Sequence, residues 1–159
     1  MPTYHKHENI WNVFDRSSLF LITTNASITR EGRLVMGAGI AGQACERFPT
    51  LPEIWGQKIR SLPQYRGDDT LYGILLPLKT HSLPDTLGAF QTKGPWWERA
   101  RLDLISYAVA QLASYARYVL EEHDYIALNF PGIGKGKLAR NMVLPWVDLL
   151  PDNVHVFER

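Results

Sequence analysis

The 159-residue chain has one cysteine, Cys45, so it can form no internal disulfide and no multi-cysteine metal site. Long apolar runs are also missing. Leu19-Phe20-Leu21-Ile22 and Ile74-Leu75-Leu76 are typical of those present, far short of the roughly 18 residues of a membrane span. The first residues, Tyr4-His5-Lys6-His7-Glu8, lack the apolar stretch of a signal peptide. Charge of one sign is lacking too: 17 basic against 16 acidic residues leave a net +1, which excludes a basic nucleic-acid coat as the main theme but not a local basic patch. The five histidines have no metal-ligand spacing, and no metal or cofactor is expected. No internal repeat and no low-complexity linker divides the chain. These absences leave a single domain over 1–159, expected in the reducing cytoplasm.

What is present alternates in period. Ser17–Thr24, Leu71–Leu78, Tyr125–Phe130 and Asn153–Phe157 are short apolar runs suited to strands covered on both faces, and Tyr4–His7 is a weaker one. Between them, Ala38–Phe48, Leu51–Leu62, Trp97–Glu122 and Leu138–Leu150 read as helices. In the longest, Leu104, Ala108, Leu112, Tyr115 and Val119 share one face. Pro145 makes the last irregular. This order predicts a three-layer α/β/α fold with a mixed, largely parallel central sheet. Ala26–Val35 and Thr80–Pro95 read as long loops after strands, where open α/β sheets place their ligands.

Two glycine loops carry the chemistry. Met36-Gly37-Ala38-Gly39-Ile40-Ala41-Gly42 opens a helix, whose N-terminal N–H groups suit an anion. Pro131-Gly132-Ile133-Gly134-Lys135-Gly136-Lys137 follows a strand, and its alternate glycines can curl into an anion-binding nest. Either loop alone is equally a tight turn. Together they can supply two sets of donors to one diphosphate. Neither matches a familiar phosphate motif. The first begins some dozen residues after its strand, too far for the dinucleotide fingerprint. The second has Leu138 where a P-loop requires Ser or Thr.

Ile22-Thr23-Thr24-Asn25-Ala26, Met36-Gly37-Ala38-Gly39-Ile40-Ala41 and Pro131-Gly132-Ile133-Gly134-Lys135-Gly136 resemble, in order and interval, the macrodomain family, which binds ADP-ribose. Met-Gly-Ala-Gly-Ile-Ala looks most like the branch of DNA ADP-ribosyl glycohydrolase antitoxins and terminal ADP-ribose glutamate hydrolases. That branch has a lysine after the central strand, and Pro77-Leu78-Lys79-Thr80-His81 resembles its setting. The resemblance implies a macrodomain fold and a partner that is ADP-ribose or an ADP-ribosylated protein or DNA. It implies hydrolysis of a terminal ADP-ribosyl bond with Lys79 and His81 as catalytic residues. Asn25 is placed on the distal ribose, Gly37, Ala38, Gly39, Ile40 and Ala41 on ribose and phosphates, and Gly132, Ile133, Gly134, Lys135 and Gly136 on the diphosphate. Asn9 stands where the family has an aspartate that reads adenine; its amide oxygen can still accept that bond.

The branch also has an acidic residue shortly after the second loop, whereas here no Asp or Glu follows until Asp148. A non-catalytic ADP-ribose reader and a phosphatase acting on a 1''-phosphorylated ADP-ribose therefore remain as alternatives. Asp85 and Glu98 are substitutes for the missing acid if their segment folds over the site. Trp96-Trp97 either stack on a base or anchor a helix start.

Overall fold

The computed structural model describes residues 1–159, which form one six-stranded sheet with helices on both faces. In chain order the elements are β1 (Thr3–Lys6), a 3₁₀ helix (Ile10–Arg16), β2 (Leu19–Thr24), α1 (Gly39–Arg47), α2 (Leu51–Arg60), β3 (Ile74–Leu75), β4 (Leu87–Gln91), α3 (Leu102–Tyr118), β5 (Ile126–Asn129), α4 (Arg140–Val147) and β6 (Val154–Glu158). Spatial order is β1-β6-β5-β2-β4-β3. The first five are mutually parallel, and only β3, at one edge, runs antiparallel to its neighbour β4. No helix is long and apolar enough to cross a membrane.

Alternation along β2 explains the layers. Leu19 and Leu21 point into a core shared with Ile105, Leu112 and Val143 of α3 and α4. Phe20 and Ile22 point the other way, into a core with Trp11, Ala44, Trp55 and Ile59 from the 3₁₀ helix, α1 and α2. All four β2 side chains are at most 2% exposed, so each face of the sheet contributes burial. At about 25 cal/mol per Å² of apolar area, such side chains contribute on the order of 2 kcal/mol each. The continuous apolar run thus reflects a strand wetted on neither side.

One assignment is overturned. The run Leu71–Leu78 yields only the two-residue edge strand β3, while a central strand, β4, lies inside the stretch read as a loop, Thr80–Pro95. Gly88 is the reason β4 reads poorly. A Cβ there would meet the Leu75 carbonyl oxygen at 2.5 Å and a Leu21 methyl at 2.9 Å, so this strand tolerates no side chain at its tightest point. The long helix is also shorter than its pattern: Trp97–Arg101 precede it and Val119 caps its end.

Candidate functional site

All five parallel strands send their carboxyl ends to one cleft of about 950 Å³. Glu8, Asn9 and Ile10 enter after β1, Thr24 and Asn25 at the end of β2, Thr92 and Lys93 after β4. Asn129 and Phe130 enter at the end of β5, and Phe157 to Arg159 at the end of β6. This is the crevice position of open α/β sheets, and the volume suits a dinucleotide-sized ligand.

Both glycine loops face this cleft. Gly37 to Ala41 and Gly132 to Gly136 all line it. Gly37, Gly39 and Gly132 adopt positive φ (38°, 70° and 82°), which glycine takes without steric cost. No side chain caps α1: Ala38 sits at its N-cap, leaving the first N–H groups open to the cleft. In the second loop Leu138 N–H closes on the Gly132 carbonyl (2.9 Å) and Lys137 N–H on that of Gly134 (3.1 Å), while no protein group accepts from the N–H of Ile133, Gly134, Lys135 or Gly136. A Cβ on Gly136 would meet the Gly132 oxygen at 2.6 Å, whereas Gly37, Gly39 and Gly134 have nothing within 4 Å on that side. The first glycine is needed for the loop's own closure; the other three leave space facing outward. The geometry supplies backbone donors from two separated segments to one cavity.

The polar residues on the strand ends are braced. Asn25 spends its amide locally, with Nδ2 donating to the Val35 carbonyl (2.9 Å) and Oδ1 accepting from Ser27 N–H (2.9 Å). Asn9 Oδ1 accepts from Trp11 N–H (3.0 Å), so this residue caps the 3₁₀ helix. Asn129 holds Thr23 through Oδ1 to its N–H and Nδ2 to its hydroxyl (3.2 and 2.9 Å).

Lys79 and His81 do not line the cleft; both are exposed. They follow β3, and because β3 runs antiparallel to β4 its carboxyl end points to the opposite end of the sheet. Asp85 is exposed on the same far loop. The lysine that follows a central strand at the cleft is Lys93. Its Nζ donates to the Trp96 carbonyl (3.3 Å). Partial burial, reinforced by the charges of Lys137 and Lys135, lowers its pKa from the usual lysine value. Trp96, Trp97, Glu98 and Arg99 line the same wall, with the two indoles 52% and 62% exposed and edge to face at 6.0 Å. Of the cleft carboxylates, Glu8 faces His5 Nδ1 (3.2 Å) and Glu158 binds Arg140 (2.9 Å); Glu98 has no ion-pair partner. Lys93 and Asn129 escaped sequence reasoning. Leu87-Gly88-Ala89-Phe90, a short apolar stretch followed three residues on by a lysine, is the signal that could have found the first. No group of three His, Cys, Asp or Glu is placed to hold a metal ion.

The mixed, largely parallel sheet, the layer order and the cleft between two glycine loops define the macrodomain fold. Similar solved structures include macrodomains of DarG proteins. The macrodomain of Thermus aquaticus DarG matches 99% of this chain and 97% of its own, with TM-score 0.69 and 20% identity. That of Mycobacterium tuberculosis DarG matches 100% and 98%, with TM-score 0.67 and 20% identity. Thermosipho africanus DarTG, solved in complex with ADP-ribose, matches at TM-score 0.69 and 17% identity. All of this chain aligns with it, spanning 42% of the Thermosipho chain. No protein-family model matches the sequence, and no curated protein does.

Proposed function

We propose that the cleft binds ADP-ribose and that the protein hydrolyses the bond joining a terminal ADP-ribose to a macromolecule. The observation that carries the reading is the convergence of both glycine loops, with their unused N–H groups, on one cavity that also holds Lys93. The similarity to the Thermosipho structure solved with ADP-ribose supports the ligand. The diphosphate sits between the loops and the distal ribose faces Lys93.

The chemistry follows from what borders that ribose. Water attacks the anomeric carbon as its bond to the macromolecule breaks. Glu98, the cleft carboxylate with no Lys, Arg or His within ion-pair distance, takes the water's proton. The Lys93 ammonium, its pKa lowered, gives a proton to the leaving atom. Glu98 thereby fills the role of the acid absent between Lys135 and Asn141. The exposed indoles, which line the cleft together with Arg99 and Lys135, favour a single-stranded nucleic acid as the modified partner, since bases stack on such rings and phosphates seek such charges. Because Lys135 and Lys137 stand where an acid is expected, a reader without turnover is the second reading.

Calorimetry with ADP-ribose tests the pocket. Gly134→Trp places an indole in open cleft space without backbone strain, so affinity should fall at least about tenfold, or 1.4 kcal/mol. Unchanged affinity in that variant sinks the loop assignment. Incubation with an ADP-ribosylated oligonucleotide and with ADP-ribosylated protein should release ADP-ribose; binding without release from either makes the protein a reader.

A further inference from the structure

Behind the cleft wall lies a buried polar bracket that the proposed reaction does not use directly. Gln91, the last residue of β4, is fully buried, yet each end of its side chain makes two hydrogen bonds. Oε1 accepts from the N–H groups of Tyr72 (2.8 Å) and Gly73 (3.1 Å). Nε2 donates to the carbonyls of Thr70 (2.7 Å) and Lys93 (3.1 Å). A glutamine at a central strand's end carries a large desolvation penalty unless satisfied, and here it is satisfied completely. Its partners belong to two segments. Thr70 to Gly73 do not line the cleft; Lys93 does.

The Lys93 backbone is thereby held on both sides. Its N–H donates to the Thr24 carbonyl (3.4 Å), which also takes the Thr92 N–H (3.0 Å), and its carbonyl receives Gln91. Tyr72, anchored by Gln91 through its own N–H, turns its buried hydroxyl to the Asn25 carbonyl (2.6 Å) and the Thr24 hydroxyl (2.5 Å). One unit of two side chains therefore ties the Asn25 corner to the Lys93 corner of the cleft. The side chain of Lys93 has only one hydrogen bond, from Nζ to the Trp96 carbonyl, so its direction depends on how its backbone is held.

We propose that Gln91 is a positioning residue that sets the Lys93 ammonium over the cleft, a role that rests on Lys93 acting there as proposed above. Gln91 touches no ligand. It acts by fixing the peptide that carries the lysine, and a displacement of about 1 Å at a reacting group can cost about 100-fold in rate.

Gln91→Glu is the test. Its first oxygen still accepts from Tyr72 and Gly73, but the second, when ionised, faces two carbonyl oxygens. When protonated, the acid can donate to one of them. The variant's kcat should fall at least about tenfold at pH 8 with ADP-ribose affinity held within about threefold, and should recover as acidification protonates the new carboxyl. The Lys93 ammonium, followed by side-chain NMR, should titrate closer to ordinary lysine in the variant at high pH. In the unaltered protein the Gln91 side-chain amide resonance should follow the Lys93 titration, a measurement that needs no variant to fold. The proposal is overturned by a folded variant with unaltered kcat and Lys93 titration, by kcat and affinity falling in equal proportion, or by a Gln91 resonance indifferent to Lys93. If the unaltered protein releases no ADP-ribose, the hydrolytic reading fails while the two NMR readouts still decide the role of Gln91.

Discussion

Burial and two neighbouring ammonium groups act on Lys93 in the same direction, each disfavouring its charged form. Lowering the pKa of a general acid makes it release its proton more readily, which is what a leaving group requires. The sign is definite: turnover should fall as pH rises through the lowered pKa of Lys93, below the ordinary lysine value. Lys137→Gln removes one repulsive charge and should move that falling limb to higher pH. Lys93→Ala should reduce kcat about 100-fold or more, whereas Lys79→Ala should leave it within about twofold. A pH–rate series on the four proteins checks this, and loss of activity in Lys79→Ala would return the role to the far loop. Lys79 attracts attention because its setting, Pro77 to His81, has the right residue types. What residue types do not encode is strand direction, and direction alone sends Lys79 away from the cleft and Lys93 into it.

At the level of elements, legibility follows burial. β2 and β5 are strands covered on both faces, and their unbroken apolar runs announce them; in β6 the apolar run Val154 to Phe157 is broken only by the half-buried His155. Either glycine loop alone reads equally as a tight turn; the pair is legible because two such loops can supply donors to one diphosphate. β4 is hidden by Gly88, flanked at a short distance by Pro84, Gly94 and Pro95, all residues that signal loops. The same glycine makes a prediction. Gly88→Val drives a side chain into the Leu75 carbonyl and the Leu21 methyl, so β3 must leave its pairing or β2 must shift. Urea unfolding should show a loss of about 2–3 kcal/mol, the usual cost of overpacking. Gly134→Ala, whose new methyl meets nothing within 4 Å, should unfold as the unaltered protein does. Equal stability of all three proteins would show that the sheet tolerates a side chain at Gly88.

The whole molecule is nearly neutral, yet its charge is not evenly spread. Lys93, Arg99, Lys135, Lys137 and Arg159 line the cleft against Glu8, Glu98 and Glu158, and Glu158 is already neutralised by Arg140. A net charge of +1 therefore conceals a positive mouth on a balanced body, with two exposed indoles set among the charges. Composition cannot report this, because the lysines and arginines are scattered through the sequence and meet only when the strand ends do. Free ADP-ribose brings just its diphosphate to this mouth. An ADP-ribosylated single strand brings flanking phosphates as well, and each one neutralised releases counterions, steepening the fall of log affinity with log salt by about 0.7. With two or three flanking phosphates engaged, the slope for the modified oligonucleotide should exceed that for free ADP-ribose by about 1.4–2.1. Binding of both ligands across a series of salt concentrations measures it. Parallel slopes would mean that the rim charges meet no phosphate beyond the nucleotide itself, and would turn the search for the modified partner towards protein.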